Sequence, residues 1–340
     1  MPELKKRFPA PQNVYVTGIP QLIYAAGIHD LTFNQVVLVQ IAADSARDGS
    51  RPFSITNEII QDICLTLGIR FKKVDMAEIQ NLEFNKNDVV DCQIVYRLRK
   101  KPNAFKCKIL AAQHEYVNLK RPRLLGAPSQ SWKKRINFII NLVIPNKMWR
   151  IYTLTPNPPT GILREIQLDP IRVQKFREQI NRNLATLEKY EFLAQESKRN
   201  ALFILPIPPH WGGGVEVQKD FFELIQKKVM NLDIETIIIK NHPSDPTNYK
   251  EILDMFEIDL GVETINLNSN LMRIIPLEII VESFKEYSFI GTESTVYLTL
   301  AEFVSEPTVI IDCIRQTPRK LQEYQSGELR SLYRNNIVQI

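Results

Sequence analysis

Histidine and cysteine are both scarce in this chain of 340 residues, with four of each. Cys64, Cys92, Cys107 and Cys313 stand far apart and form no CxxC pair. That argues against a zinc site and against a disulfide scaffold, and it fits a reducing compartment. No apolar run reaches the length that spans a bilayer, since the longest, Ile136 to Pro145, is interrupted by asparagines. The opening stretch, MPELKKRFPAPQ, carries charge but no apolar segment, so no signal peptide is expected. No GxGxxG fingerprint occurs, and a dinucleotide cofactor is not expected. No internal repeat or low-complexity tract is present.

What remains is the composition of an ordinary globular protein, 44% hydrophobic and 24% charged. The length suits two domains of common size. The net charge of +5 is unevenly spread: twelve Lys or Arg against one acid, Glu115, lie between Arg97 and Arg135, a net +11 set against −6 for the rest. Such a tract is either a solvated surface or an attractor of phosphates, anionic headgroups or acidic polymers. No nucleic-acid motif accompanies it, so an anionic membrane or an acidic glycan is the expected partner, and nucleic acid is not.

The pattern alternates strand and helix. Strands are expected at Asn13 to Gly18, Gln35 to Ala42, Gln93 to Tyr96 and Trp149 to Leu154, and helices at Gln21 to Ala26 and Thr56 to Leu67. The stretch Ile171 to Arg199 reads as a long polar helical connection. A second block follows, with strands at Ala201 to Leu205, Thr236 to Lys240, Glu263 to Leu267, Ser288 to Gly291 and Pro307 to Asp312. Helices are expected between them at Gln218 to Met230, Tyr249 to Phe256, Pro276 to Tyr287 and Ser294 to Phe303. The reading is α/β, with two Rossmann-like domains facing across a cleft: residues 1–198 and residues 199–340.

Three features of the second block follow a strand or open a helix, where open α/β sheets bind ligands. The first is Lys240-Asn241-His242-Pro243. A histidine there can donate a proton or hydrogen bond to a departing phosphate; it can equally cap a helix or bond a carbonyl. Pro243 pushes it toward extended backbone. The second is Gly291-Thr292-Glu293-Ser294-Thr295, a strand ending in glycine before two hydroxyls, which suits a phosphate on a helix N-terminus or simple capping. The third is Pro276-Leu277-Glu278, whose acid could accept both ribose hydroxyls or merely face the helix dipole. A further loop, Pro208-Pro209-His210-Trp211-Gly212-Gly213-Gly214, offers His210, Trp211 and the backbone of Gly213 to a sugar, or is a flexible surface loop.

Taken together, His242-Pro243, Pro276-Leu277-Glu278 and Ser294-Thr295 resemble, in the same order, the motifs of bacterial GT-B sialyltransferases and polysialyltransferase-like proteins. Thr17-Gly18-Ile19-Pro20-Gln21-Leu22, followed by Ala25, looks like that family's first strand and turn. The resemblance implies an inverting, cytoplasmic glycosyltransferase. It would carry sialic acid, or a related nonulosonic acid, from a CMP-sugar to the hydroxyl of a cell-surface glycan. That acceptor would be lipid-linked or acidic, and the enzyme could rest at the inner face of the membrane. It implies that His242 is the catalytic acid or hydrogen-bond partner of the CMP phosphate. Ser294 and Thr295 would hold that phosphate, Glu278 the ribose, and Lys240 the cytosine pocket, with Pro243 and Gly291 shaping the nucleotide seat. No cofactor and no metal are implied, and no acidic cluster of the DxD kind is apparent. One departure stands out. The family's acidic–acidic–glycine motif is expected after Trp149 to Leu154, but Thr155-Pro156-Asn157-Pro158-Pro159-Thr160-Gly161 follows, without a carboxylate. The base is then Glu165, Glu115, His114 or another acid, or it is missing. The alternatives are another GT-B nucleotide-sugar or glycerophosphate transferase, and a non-catalytic relative that binds the donor.

Overall fold

The structure, a computed structural model, describes residues 12–41, 53–98, 107–110, 150–153, 164–194, 197–206, 214–229, 234–243, 245–291, 308–310 and 337–339. The chain divides into two compact units. One comprises Met1–Ala42 and Ile60–Phe176, the other Ala43–Ile59 and Arg177–Ile340.

The first unit is built on seven parallel strands: β1 (Gln12–Val16), β2 (Phe33–Gln40), β3 (Arg70–Asp75), β4 (Val89–Asp91), β5 (Lys108–Leu110), β6 (Arg150–Thr153) and β7 (Arg164–Gln167). Their order across the sheet is β3-β2-β1-β4-β5-β6-β7. This is the doubly wound arrangement, with its switch point between β1 and β4. β1 and β2 are interior strands, and Val14, Val16, Val36 and Leu38 are fully buried. Burial on both faces explains their near-continuous apolar sequence. Gly27 is required by packing: a Cβ there would meet Leu168 Cβ and Val173 Cγ2, each at 2.8 Å.

The second unit repeats the plan with β8 (Ser197–Leu205), β9 (Thr236–Lys240), β10 (Glu263–Leu267), β11 (Phe284–Gly291), β12 (Thr308–Ile310) and β13 (Ile337–Gln339). The order is β10-β9-β8-β11-β12-β13, again all parallel. Its switch point lies between β8 and β11, whose last residues, Leu205 and Gly291, are register partners. Ile237, Ile238 and Ile239 are fully buried in β9, which pairs with β8 on one side and β10 on the other. Phe221, Phe222, Ile225 and Val229 are buried apolar positions of helix Val215–Val229 and pack in one cluster with Ile237 and Ile239. Their spacing puts them on or near one face of the helix.

Several expected elements are redrawn. The strand expected at Gln93 to Tyr96 is helix Cys92–Arg97, and the strand is Val89–Asp91 just before it. Asp91 makes the switch: its side chain accepts from Gln93 N–H at 2.9 Å and caps the helix. The long connection at Ile171 to Arg199 is helix Pro170–Leu184, then a 3-10 turn at Glu188–Tyr190 and a short helix Glu191–Ala194, with β8 already begun at Ser197. Pro276 is the N-cap of a single helical turn, Leu277–Ile280, and β11 starts at Phe284. The helix expected at Ser294 to Phe303 lies outside the described residues.

Candidate functional site

The second unit gathers the chemistry at the carboxyl end of β9. Lys240 is the last residue of that strand and is buried. Its Nζ donates to two main-chain carbonyls, Asn241 O at 3.1 Å and Arg273 O at 2.8 Å. Burial depresses its ammonium to about 7, partly opposed by the negative charge of Glu278 and reinforced by the positive charge of Arg273. Glu278 sits in the first turn of Leu277–Ile280 and is buried, as is Arg273 in helix Asn270–Ile274. Sequence reasoning found Lys240 and Glu278 but not Arg273, because a lone arginine in a short helix reads as a solvated side chain.

His242 follows two residues beyond the strand and is half-buried. Its carbonyl accepts from Asp245 N–H at 2.8 Å, closing a four-residue turn with Pro243 in the second position. Proline is favoured there because its ring presets the backbone angle that the turn needs. Beneath the turn lies a polar network that sequence reasoning missed. Buried Asn241 donates to Asp245 O at 3.0 Å and Thr247 O at 2.7 Å, and accepts from Asn266 Nδ2 at 2.6 Å. The carboxylate of Asp245, itself buried, accepts from Thr247 N–H at 3.1 Å, from Thr247 Oγ1 at 2.6 Å and from the Tyr249 hydroxyl at 2.6 Å. Burial, and then the charge and hydrogen bond of Asp245, push the Tyr249 hydroxyl well above its ordinary range. Polar groups out of water are costly unless bonded, so this network fixes one conformation of the loop that carries His242. The clue in the sequence was the run of polar residues Asn241, Asp245, Thr247 and Asn248 between two apolar elements.

Gly291 ends β11 at the switch point and pairs with Leu205 and Ile310. Ser294, Thr295, His210, Trp211 and Gly213 lie outside the described residues, as do His114 and Glu115. Glu165 is on β7, and its side chain is outside what is described. Of the basic tract, Lys108 is buried and pairs with Asp30 at 2.5 Å, so that charge is already matched inside the first unit.

The equivalent edge of the first unit holds a different arrangement. Asp91 is fully buried at the carboxyl end of β4, and one of its oxygens accepts from both the N–H (3.2 Å) and the hydroxyl of Thr17. The other caps the helix that follows. Asp91 thus ties β1 to β4 across the switch point. Among the described residues no group of three His, Cys, Asp or Glu is placed to hold a metal ion, and no helix is long and apolar enough to cross a membrane.

Comparison with solved structures gives this arrangement its class. The sialyltransferase of Photobacterium damsela aligns over 97% of this chain and 82% of its own, with a TM-score of 0.50 and 13% sequence identity. The chain has a GT-B fold. A structure of the GT-B domain of sialyltransferase from Photobacterium damselae aligns over 96% and 97%, at 14% identity and a TM-score of 0.49. No family model matches the chain. Among curated proteins, U3 small nucleolar RNA-associated protein 25 of Komagataella phaffii is 24% identical over 183 residues. That match takes in 51% of this chain and spans about a quarter of the curated protein, 24% of its length. The GT-B likeness thus embraces both sheets, each with its own switch point.

Proposed function

We propose that this chain is an inverting glycosyltransferase that moves sialic acid, or a related nonulosonic acid, from a CMP-sugar to a glycan hydroxyl. The observation that carries the reading is the placement of His242 two residues past the carboxyl end of β9, on a turn locked by Asn241, Asp245 and Tyr249, after buried Lys240 on which the charge of buried Glu278 acts. Open α/β sheets bind ligands at that edge. In this reading the acceptor hydroxyl attacks the anomeric carbon and gives its proton to a base, which is Glu165, Glu115, His114 or another acid, while the bond to the phosphate oxygen breaks and CMP leaves with added negative charge. The imidazole of His242 donates to the departing phosphate where that charge develops, which lowers the barrier rather than the ground state. Ser294 and Thr295 hold the phosphate, and Glu278 takes the ribose hydroxyls. His210, Trp211 and Gly213 face the sugar. The glycan acceptor is lipid-linked or acidic, and the tract between Arg97 and Arg135 draws the protein toward it or toward an anionic membrane at the cytoplasmic face.

The experiment is calorimetric titration with a panel of nucleotides, followed by assay of CMP release with acceptor glycans. CMP should bind in preference to uridine and guanosine nucleotides. His242→Ala should lower turnover by roughly 10²–10⁴-fold with little loss of CMP affinity. Equal binding of all nucleotides, or normal turnover by the alanine variant, defeats the assignment. A second reading is favoured by one observation, the loop Thr155 to Gly161 that lacks a carboxylate. It makes the chain a donor-binding relative without a base, and it predicts CMP binding with no release of CMP from the donor.

A further inference from the structure

Lys240, Arg273 and Glu278 form a cluster with an unequal charge count. All three side chains are buried, with Lys240 at 6%, Arg273 at 7% and Glu278 at 5% exposure, and the charges of Glu278 and Arg273 both act on Lys240. If all three carry charge, one positive charge is left over, and a buried unbalanced charge is costly. Two details of the hydrogen bonding point the same way. Among the described residues, Nζ of Lys240 has two acceptors, the carbonyls of Asn241 and Arg273. A neutral amine has two N–H bonds and an ammonium three, so the two carbonyls match the neutral form. Among the described residues, Nε of Arg273 has no hydrogen-bond partner, although Nη2 of the same guanidinium donates to Asn270 Oδ1. Among the described residues, a neutral Lys240 leaves Arg273 and Glu278 balanced in charge, and the cluster lacks one acceptor, at Nε of Arg273. It lies at the sheet edge where a ligand of an open α/β unit sits.

We propose that binding of a phosphate-bearing nucleotide at this edge is coupled to uptake of one proton, and that Lys240 is the group that takes it. Without ligand, Lys240 is mainly the neutral amine above about pH 7. When an anion arrives, the nitrogen lone pair accepts a proton from the buffer, no bond in the ligand changes, and the ligand's charge balances the cluster. The direction agrees with the depressed ammonium of the empty protein, held at about 7. An anion nearby favours the charged form and moves it upward. Among the described residues, the charged groups acting on Lys240 are Glu278 from the turn Leu277–Ile280 and Arg273 from Asn270–Ile274. Asp245, in the loop after β9, spends its carboxylate on Thr247 and Tyr249. His242 is the other titratable group of that loop, and the test must separate it.

The inference rests on the proposal that this edge seats a cytidine nucleotide. CMP is titrated into the full chain by calorimetry near pH 8, in buffers of widely different ionisation enthalpy. The dependence of the apparent heat on buffer counts the protons exchanged. About one proton should be taken up near pH 8 and close to none near pH 6, and affinity should fall above neutrality by up to about tenfold per pH unit. The phosphate of CMP is fully ionised near pH 8 and gains no proton beside cations. Lys240→Met should abolish the uptake and flatten the pH dependence, and His242→Asn should retain both. If Lys240→Met does not fold, the proton count on the unaltered chain and on His242→Asn decides alone. CMP binding with no proton uptake near pH 8 overturns the inference and leaves the nucleotide reading intact. Uptake that persists in Lys240→Met, or disappears in His242→Asn, overturns it as well. Absence of CMP binding at every pH overturns both.

Discussion

The two units share a strand order about the switch point and differ in what they bury at its carboxyl side. In the first, the ends of β1 and β4 are closed by Thr17 and Asp91, a carboxylate committed to three donors. In the second, the edge holds Lys240, Arg273, Glu278 and a histidine on a turn braced by Asp245. Topology alone is thus neutral about chemistry, and a site is something added to it. Asp91 and Asp245 make the contrast sharp. Both are fully buried acids just after or at the end of a parallel strand, and both accept three hydrogen bonds. One serves to hold two strands together, and the other holds up the loop of His242.

The strongest way to break this comparison is to remove each acid and ask what else is lost. Asp245→Ala strands the donors of Thr247 and Tyr249 and should cost about 3 kcal/mol in chemical denaturation. It should also weaken CMP binding at temperatures where the variant is still folded, because the turn under His242 loses its brace. Asp91→Ala should cost about 2 kcal/mol, by loss of a helix cap and of the tie to Thr17, while CMP affinity stays within about twofold, a shift of roughly 0.4 kcal/mol. Equal loss of affinity in both variants would mean that the two edges do not divide the labour as described. The smallest effect is expected at the surface of the second unit. Glu58 and Lys189 meet at 2.7 Å, but both are exposed. Glu58→Gln should change stability by less than about 0.5 kcal/mol, and a larger change would show that this pair does more than an exposed ion pair can.

Strands buried on both faces were legible in the sequence. β9 falls on the residues that its pattern names, and β1 and β2 differ only at their ends; β10 is an edge strand, and it was found because Ile265 and Leu267 alternate with Thr264 and Asn266. β3, also at an edge, was missed because Arg70, Lys72, Lys73 and Asp75 leave it mostly exposed and Phe71 and Val74 do not alternate. The segment Val89 to Val95 misled for the opposite reason. It is buried throughout its apolar positions, so composition could not say where strand gives way to helix, and the cap at Asp91 decides it. At the site, the position of His242 after its strand was legible because proline and the isoleucine run mark the exit. Arg273 was not, since what brings it to Lys240 is a hydrogen bond from Nζ to its carbonyl, 33 residues away in the chain.

The pair of Glu58 and Lys189 has a consequence for the order in which the molecule comes into being. The stretch that carries Glu58 belongs to the second unit, although 131 residues separate the two partners. On a ribosome, Phe53, Ile55 and Ile59 emerge long before the chain from Arg177 onward on which that unit depends. At ~5–20 residues per second the wait is on the order of ten seconds. During it, the opening turns of helix Phe53–Thr66, with three large apolar side chains, await the rest of their unit, while the same helix from Ile60 onward belongs to the first unit. The order of the chain is therefore also a schedule: the early part of the second unit is made first and settled last.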